Sequence, residues 1–186
     1  WTEYNITPYT APRNETIGWD GTTWVDCNDL TYSGGWRAGF GTIGAAVAVG
    51  GLFPAGGNAG NTNVEEWDGT SWATAEALST GRSKMGGAGT QNDGLVFGGI
   101  ANPGYSNSYC DDTEIYDGTN WSTGPNLGTA RLTFNNTGGG TSTAAFYVGS
   151  WEWDCYFSHA CCTEEYSEGS LDTTLVRTMS GSAYTY

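Results

Sequence analysis

The segment Trp67-Asp68-Gly69-Thr70-Ser71-Trp72 decides the fold, because the chain carries close variants of it at regular intervals. Variants begin at Trp19 and Tyr116, and a more divergent one begins at Tyr166, so that successive first residues lie 48, 49 and 50 positions apart. A fixed period of this length is the signature of a repeat architecture. The aspartate-glycine pair predicts a two-residue hairpin loop of type I′, because that turn needs positive φ at both central residues.

The residues around this hexapeptide predict four short strands in each repeat. An arginine precedes a strand a that is rich in glycine and alanine, and an apolar strand b then ends at a glycine. Strand c carries a glutamate and the first aromatic residue of the hexapeptide, and strand d carries the second. Small residues suit a strand that crowds around an axis, which makes strand a the innermost. The predicted strands b are Ala45–Val49, Leu95–Phe97 and Ala144–Val148.

The repeat unit resembles kelch-type β-propeller repeats in the glycines after strand b, the aromatic residue of strand c and the tryptophan of strand d. Its form, Glu-x-Trp/Tyr-Asp-Gly-Thr-x-Trp, is also similar to repeats of bacteriophage fibres and other virion or surface proteins. The resemblance implies four-stranded antiparallel blades. It also implies an exposed structural or adhesive protein. Kelch propellers usually have more blades than the four that this chain supplies.

We therefore predict an all-β protein that forms a single domain over 1–186, a β-propeller of four four-stranded antiparallel blades. The last blade would be composite, so that both termini close the ring and leave no open sheet edge. Two alternatives remain open: the 186 residues are a piece of a larger array, or two chains share one ring. The predicted blades are 37–76, 82–125, 131–171, and 177–186 combined with 1–27.

Ten residues recur at fixed places in the repeat, and we predict that they hold the architecture together. The arginines among them have two interpretations. Around a ring axis they would form an anion-binding mouth, since guanidinium groups match carboxylates and phosphates. Alternatively, each ties neighbouring blades together through backbone carbonyls or strand-c glutamates, and the strictness of the repetition favours this structural role. The ten are Trp19, Trp24, Trp67, Trp72, Tyr116, Trp121, Arg37, Arg82, Arg131 and Arg177.

The loops between strands b and c are the least repetitive parts of the chain, and they are rich in aromatic residues. In a four-stranded blade these b–c loops emerge on the same face as the d–a linkers between blades. Exposed aromatic side chains there would stack on sugars or anchor a protein partner. The alternative is that Trp151 and Trp153 pack as a small cluster under a disulfide-tied loop. The candidate binding residues are Trp36, Tyr105, Tyr109, Trp151, Trp153, Tyr156 and Phe157.

The five cysteines favour disulfides over a zinc site, because no pair of C-x-x-C motifs is present and His159 is the only histidine. We predict that Cys110 and Cys155 each bond to one member of the Cys161-Cys162 pair, which leaves Cys27 as a free or interchain thiol. Such bonds indicate an oxidising, extracellular compartment. The alternative is five reduced cysteines in a cytosolic protein.

The net charge of −14 argues against nucleic-acid binding, because an acidic surface repels phosphate backbones. No apolar run reaches the roughly 18 residues of a membrane span. We expect no metal and no cofactor, with calcium at an acidic cluster as the alternative, although no Asp-x-Asp-x-Asp-Gly spacing occurs. The acidic clusters are Glu65-Glu66, Asp111-Asp112-Thr-Glu114 and Glu164-Glu165.

These observations predict a non-enzymatic structural or adhesive module of an extracellular fibre, virion or cell surface. Its partners would be other subunits of such an assembly, or glycans, and we expect it to be oligomeric. The alternatives are a secreted carbohydrate-binding lectin and a glycan-processing enzyme on a propeller scaffold. Enzyme activity is not expected, because no nucleophile elbow accompanies the sole histidine.

Overall fold

The computed structural model describes residues 14–52, 60–101, 108–132 and 138–148, and the backbone of a strand at Thr163–Ser167. All regular secondary structure in these residues is β, which confirms the predicted all-β class. The strands form antiparallel sheets of two to four strands. The described part of the chain contains no helix that could cross a membrane.

Four sheets, named I to IV here, follow one another along the chain. Sheet I consists of β1 (Thr16–Trp19) and β2 (Trp24–Cys27). Sheet II consists of β3 (Ala38–Thr42), β4 (Ala45–Val49), β5 (Val64–Trp67) and β6 (Trp72–Thr74). A small fifth sheet joins β7 (Arg82–Ser83), β10 (Ile100–Ala101) and β11 (Ser108–Tyr109). Sheet III consists of β8 (Gly86–Thr90), β9 (Asp93–Phe97), β12 (Thr113–Tyr116) and β13 (Trp121–Gly124). Sheet IV consists of β14 (Gly138–Gly140), β15 (Ala144–Val148) and β16 (Thr163–Ser167).

Sheets II and III have the strand order a–b–c–d that the repeat predicts. In sheet IV the described strands are a, b and c, and in sheet I they are c and d. The strands of sheet II lie within 37–76, and those of sheet III lie within 82–125. The composite blade and the closure of the ring depend on residues 1–13 and 168–186, which are outside the described residues, so closure stays a prediction.

The hairpin between strands c and d differs from the predicted two-residue turn. Trp19 pairs directly with Trp24, so the loop contains four residues. Of the aspartate-glycine pair only the glycine has positive φ, +102° at Gly21. The Asp20 carboxylate instead accepts hydrogen bonds from the backbone N–H groups of the next two threonines, at 2.7 and 2.8 Å. The turns after Trp67 and Tyr116 are built alike. The type I′ prediction is wrong, because the aspartate side chain shapes the turn.

The strands a of sheets II, III and IV lie next to one another, which sets these sheets side by side. Their fit is close: a Cβ added at Gly87 would lie 3.3 Å from the carbonyl oxygen of Gly39 and 3.5 Å from the Cβ of Ala38. A Cβ added at Gly138 would lie 3.0 Å from the backbone nitrogen of Gly87. Small residues are therefore needed where the inner strands converge.

Two apolar clusters fill the space between these sheets. Alternate side chains of strand b face opposite neighbours. In β9, Val96 belongs to the cluster shared with sheet II, whereas Leu95 and Phe97 belong to the cluster shared with sheet IV. Burying each such side chain contributes about 1.5–3 kcal/mol. The sheets therefore hold together mainly through their faces.

The fifth sheet is a feature that the repeat pattern does not predict. β7 belongs to the d–a linker between sheets II and III, while β10 and β11 belong to the b–c loop of sheet III. Because β7 pairs with β10, the linker and the loop lie at the same end of the sheets. In sheet II single bridges replace these strands, Gly35 with Leu52 and Leu52 with Gly60. We call the end of the sheets where the d–a linkers and b–c loops lie the loop end.

Candidate functional site

Arg82 ties the linker between sheets II and III to sheet III. Its Nη2 lies 2.7 Å from Oε1 of Glu114, and its Nη1 donates to the carbonyl oxygens of Asp112 and Gly98, at 2.8 and 3.3 Å. The other carboxylate oxygen of Glu114 accepts the backbone N–H of Ser79, at 2.9 Å. Both charged side chains are buried. The pair therefore fastens the linker to strand c from inside the protein.

Glu65 holds the preceding linker, between sheets I and II, in an equivalent way. Its carboxylate accepts the backbone N–H groups of Thr31 and Tyr32, at 2.6 and 3.4 Å. The same carboxylate lies 3.8 Å from Nη1 of Arg37, whose Nη2 donates to the carbonyl of Tyr32 at 2.6 Å. Burial lowers the pKa of Arg37, and the charge of Glu65 opposes that effect. In both sheet II and sheet III, the strand-c glutamate thus binds the backbone of the d–a linker that precedes the sheet.

Arg37 and Arg82 share this type of partner but not the same backbone position. In sheet II, Gly35 pairs with Leu52, as Ser83 pairs with Ile100 next to sheet III. Gly34, one position before Gly35, is therefore the counterpart of Arg82. Arg37 lies further along the chain and extends back over Gly34, where an added Cβ would be 3.0 Å from its Nη2. Their spacing in the sequence suggests that Arg37 and Arg82 hold equivalent positions, but the backbone pairing shows that they do not.

Arg131 is the backbone counterpart of Arg82. The N–H of Gly99 donates to the carbonyl of Arg131 at 2.8 Å, as the N–H of Gly51 donates to that of Arg82 at 2.9 Å. The guanidinium of Arg131 lies 5.7 Å from the ring centroid of Tyr147 in sheet IV. Arg177 is outside the described residues. The contacts of the other three arginines support the structural role over an anion-binding mouth.

Three glutamates of the predicted acidic clusters are also engaged in protein contacts. Glu65 and Glu114 bind linkers, and Glu66 of sheet II accepts the hydroxyl hydrogen of Tyr116 in sheet III, at 2.8 Å. Burial and this hydrogen bond raise the pKa of Tyr116. Among the residues that the structure describes, no three His, Cys, Asp or Glu side chains are grouped so that they could hold a metal ion.

Two of the predicted binding residues lie at the loop end, Trp36 in a d–a linker and Tyr109 in the b–c loop of sheet III. Tyr109 is partly buried in β11, whereas Trp36 is exposed. The candidates Tyr105, Trp151, Trp153, Tyr156 and Phe157 lie outside the described residues.

Lys84, which the sequence analysis does not single out, accompanies Trp36. Each of the two lies two positions before a strand a, Trp36 before β3 and Lys84 before β8. The N–H of Lys84 donates to the carbonyl of Trp36 at 3.0 Å, and its Nζ lies 4.6 Å from the centroid of the Trp36 ring. Partial burial lowers the pKa of Lys84. Lys84 is the only lysine of the chain, and this feature of the sequence could have identified it as a candidate residue.

Trp36 and Lys84 also share an unusual backbone conformation. Their φ angles are +53° and +57°, and they are the only non-glycine residues with positive φ in the described ranges. Large side chains rarely adopt this left-handed region, and holding one there costs about 1–3 kcal/mol. Such strain is often found at functional sites. The pair is therefore the best-defined candidate site at the loop end.

The aromatic residues of the hexapeptide form cross-strand pairs. Ring centroids are 5.6 Å apart for Trp19 and Trp24 and 5.4 Å apart for Trp67 and Trp72. In sheet III, Tyr116 and Trp121 stack at 4.7 Å. The pairs of sheets II and III face the preceding sheet, where the indole Nε1 of Trp72 donates to the hydroxyl of Thr16 at 3.0 Å. In sheets II and III these rings therefore make contacts between neighbouring sheets.

Two of the five cysteines are in the described part of the chain. Cys27 is a free thiol at the end of β2, and it is not bonded to Cys110. Cys110 is buried near the b–c loop of sheet III. The partners proposed for it, Cys161 and Cys162, and also Cys155, lie outside the described residues, so the disulfide scheme stays a prediction.

A cleft between sheets III and IV, lined by Leu95, Phe97, Leu127 and Tyr147, has a volume of about 120 Å³. Sites for small organic ligands usually exceed about 300 Å³. Its lining is mostly apolar and contains no Asp, Glu, His, Cys, Lys or Arg side chain. The cleft is thus a packing gap between sheets rather than a candidate active site.

Comparisons with known proteins support the fold alone. No protein-family model matches the chain, and no curated protein sequence is similar to it. Among chains of known structure 123 match, including YjhT, with a TM-score of 0.62 and 15% sequence identity over 76% of this chain. The match covers 46% of YjhT, so this chain spans about half of that protein's length.

Proposed function

We propose that the chain is a non-enzymatic structural or adhesive module, built as a β-propeller and displayed on an extracellular fibre, a virion or a cell surface. The propeller is supported by four successive antiparallel sheets and by three glycine-rich inner strands that lie side by side. The buried arginine–glutamate pairs serve to fasten linkers, which accords with a scaffold. The finer form of this proposal is a closed ring of four-stranded blades, which is completed either by the chain's own termini or by a second chain that shares the ring.

The observation that carries the binding role is the strained pair of Trp36 and Lys84 at the loop end. An exposed indole offers a flat apolar surface that stacks on a sugar ring or anchors a protein side chain. Neighbouring ammonium and backbone groups would orient a polar partner. We propose that the module binds a glycan or a protein partner here, and that the b–c loops supply further contacts.

Binding of the purified chain to a panel of immobilised glycans and to intact cells tests this proposal. Trp36→Asn removes the indole and tolerates the left-handed backbone, since asparagine is enriched there. We expect the variant to lose binding by at least about tenfold, the order of one lost aromatic anchor, with unchanged thermal unfolding. Asp93→Asn changes an exposed residue at the hairpin between β8 and β9, away from the loop end, and is the control. Equal binding by Trp36→Asn and the parent protein would overturn the assignment of this surface.

A secreted lectin that acts alone is the second candidate, and the same exposed Trp36 favours it. It would bind the same glycans without assembling into a polymer. Negative-stain microscopy of the source material separates the two candidates. Ordered fibres or particles containing the chain support the structural module, whereas a dispersed protein with glycan affinity supports the lectin.

A further inference from the structure

The first and last sheets expose apolar faces that are buried in the sheets between them. In sheet I, Trp19 and Trp24 are 47% and 66% exposed, and this pair is called the head face here. In sheet IV, Phe146 and Val148 are 46% and 40% exposed, and they form the tail face. Exposed large apolar patches on soluble proteins commonly mark interaction sites.

The head face is one half of an interface that the molecule already makes between sheets II and III. Trp19 begins the hexapeptide of sheet I, as Tyr116 begins that of sheet III. Tyr116 is 1% exposed and belongs to the apolar cluster that contains Val47 and Val49 of sheet II. Gly18, beside Trp19, faces Ile43 of sheet II, so Trp19 points away from that sheet.

The tail face is the other half of the same interface. Phe146 and Val148 are the third and fifth residues of β15, the places that Val47 and Val49 hold in β4. Val47 and Val49 are 1% and 0% exposed because the next sheet covers them. Ala145 and Tyr147, on the opposite side of β15, belong to the cluster with sheet III, so the tail face points outward.

We propose that the head face of one copy docks on the tail face of a second copy, with Trp19 packing on Phe146 and Val148 as Tyr116 packs on Val47 and Val49. A second copy is the occupant that these data favour, because the two exposed faces match the two halves of the interface between sheets II and III, and every copy carries both. Two copies related by a two-fold axis would form two identical junctions, which leaves neither face open. The inference rests on the side-by-side blades proposed above, in the form in which two chains share one ring, and it does not involve the loop end.

Sedimentation equilibrium over roughly 1–100 μM, the range of moderate affinities, tests this proposal. We expect the parent chain to have twice its 19.7 kDa mass. Trp19→Asp disables the head face and Phe146→Asp disables the tail face, so each variant alone should be monomeric. An equimolar mixture should recover dimers, because one junction then joins two intact faces. Trp36→Asn, at the loop end, should remain dimeric and is the control.

A parent chain that stays monomeric over this range would overturn the proposal and favour closure within one chain. Dimers that persist in both variants, or a mixture that recovers no dimer, would also overturn it. If Phe146→Asp does not fold by circular dichroism, Val148→Asp replaces it as the tail variant. Glycan binding through Trp36 can succeed or fail in each of these cases, so the two proposals are tested separately.

Discussion

Replacing Arg82 by methionine should destabilise the protein strongly. The guanidinium is fully buried, with 0% of its side chain exposed, and it is 2.7 Å from Glu114. Methionine has a similar length, but it removes the charge partner and the donors to two carbonyl oxygens. Removing one partner of a buried ion pair costs about 3–5 kcal/mol, because the remaining charge is left uncompensated. That is a large part of the roughly 5–15 kcal/mol that stabilises a typical domain.

Urea denaturation at equilibrium, followed by the fluorescence of the nine tryptophans, measures this loss. The midpoint should fall while the slope stays constant, which identifies a change in stability. The double variant Arg82→Met with Glu114→Gln should recover part of the loss, because the neutral amide can still accept the N–H of Ser79. Asp93→Asn, an exposed substitution, should change the free energy of unfolding by less than about 0.5 kcal/mol. A loss below about 1 kcal/mol for Arg82→Met would refute the structural role of the arginine.

Three further predictions concern the turns and the cysteines. Gly69→Val should lower the free energy of unfolding by more than about 1 kcal/mol, because φ is +91° at this glycine. The control Gly44→Ala should be neutral in the same urea assay, because no atom lies within 4 Å of the new Cβ. Accepted backbone N–H groups lower the pKa values of the turn aspartates Asp20, Asp68 and Asp117 below the ordinary 3.8. The stability that these carboxylates contribute is complete above pH 3.8 and is lost as the pH falls through the lowered pKa values. Replacing all three by asparagine should therefore flatten the acid limb of a pH–stability curve, and an unchanged limb would contradict this reasoning. Cys27 should react with a thiol reagent in the native protein, whereas the buried Cys110 should not. Labelling of Cys110 at the rate of Cys27 would contradict its burial.

The strands and their order could be predicted from the sequence because these features depend on local residues and on their repetition. Short continuous apolar runs place β4 and β15, and the recurring hexapeptide fixes the c–d hairpins. The length of the hairpin loop could not be predicted from the dipeptide alone. Asp20 uses its carboxylate to bind the backbone, and this makes positive φ unnecessary at the aspartate.

The candidate site was less predictable because it depends on contacts between repeats. Trp36 could be chosen as an exposed aromatic residue, but its contact with Lys84 arises only when two strands a lie side by side. Spacing suggested that Arg37 and Arg82 are equivalent, and the backbone pairing shows that Arg37 reaches a corresponding glutamate from another position. The small sheet of β7, β10 and β11 likewise requires pairing between a linker and a distant loop.

The side-by-side packing of the inner strands is the central claim, and an engineered disulfide tests it most directly. A Cβ at Gly87 would lie 3.5 Å from the Cβ of Ala38, at the short end of the roughly 3.5–4.5 Å range of disulfides. In the variant Ala38→Cys with Gly87→Cys, non-reducing peptide mapping should find the two positions joined, and cleavage after Phe97 separates position 87 from Cys110. A bond between positions 38 and 87 in most molecules is the predicted result. Two alkylatable thiols at these positions in the folded protein would contradict the proposed arrangement of sheets II and III as neighbouring blades.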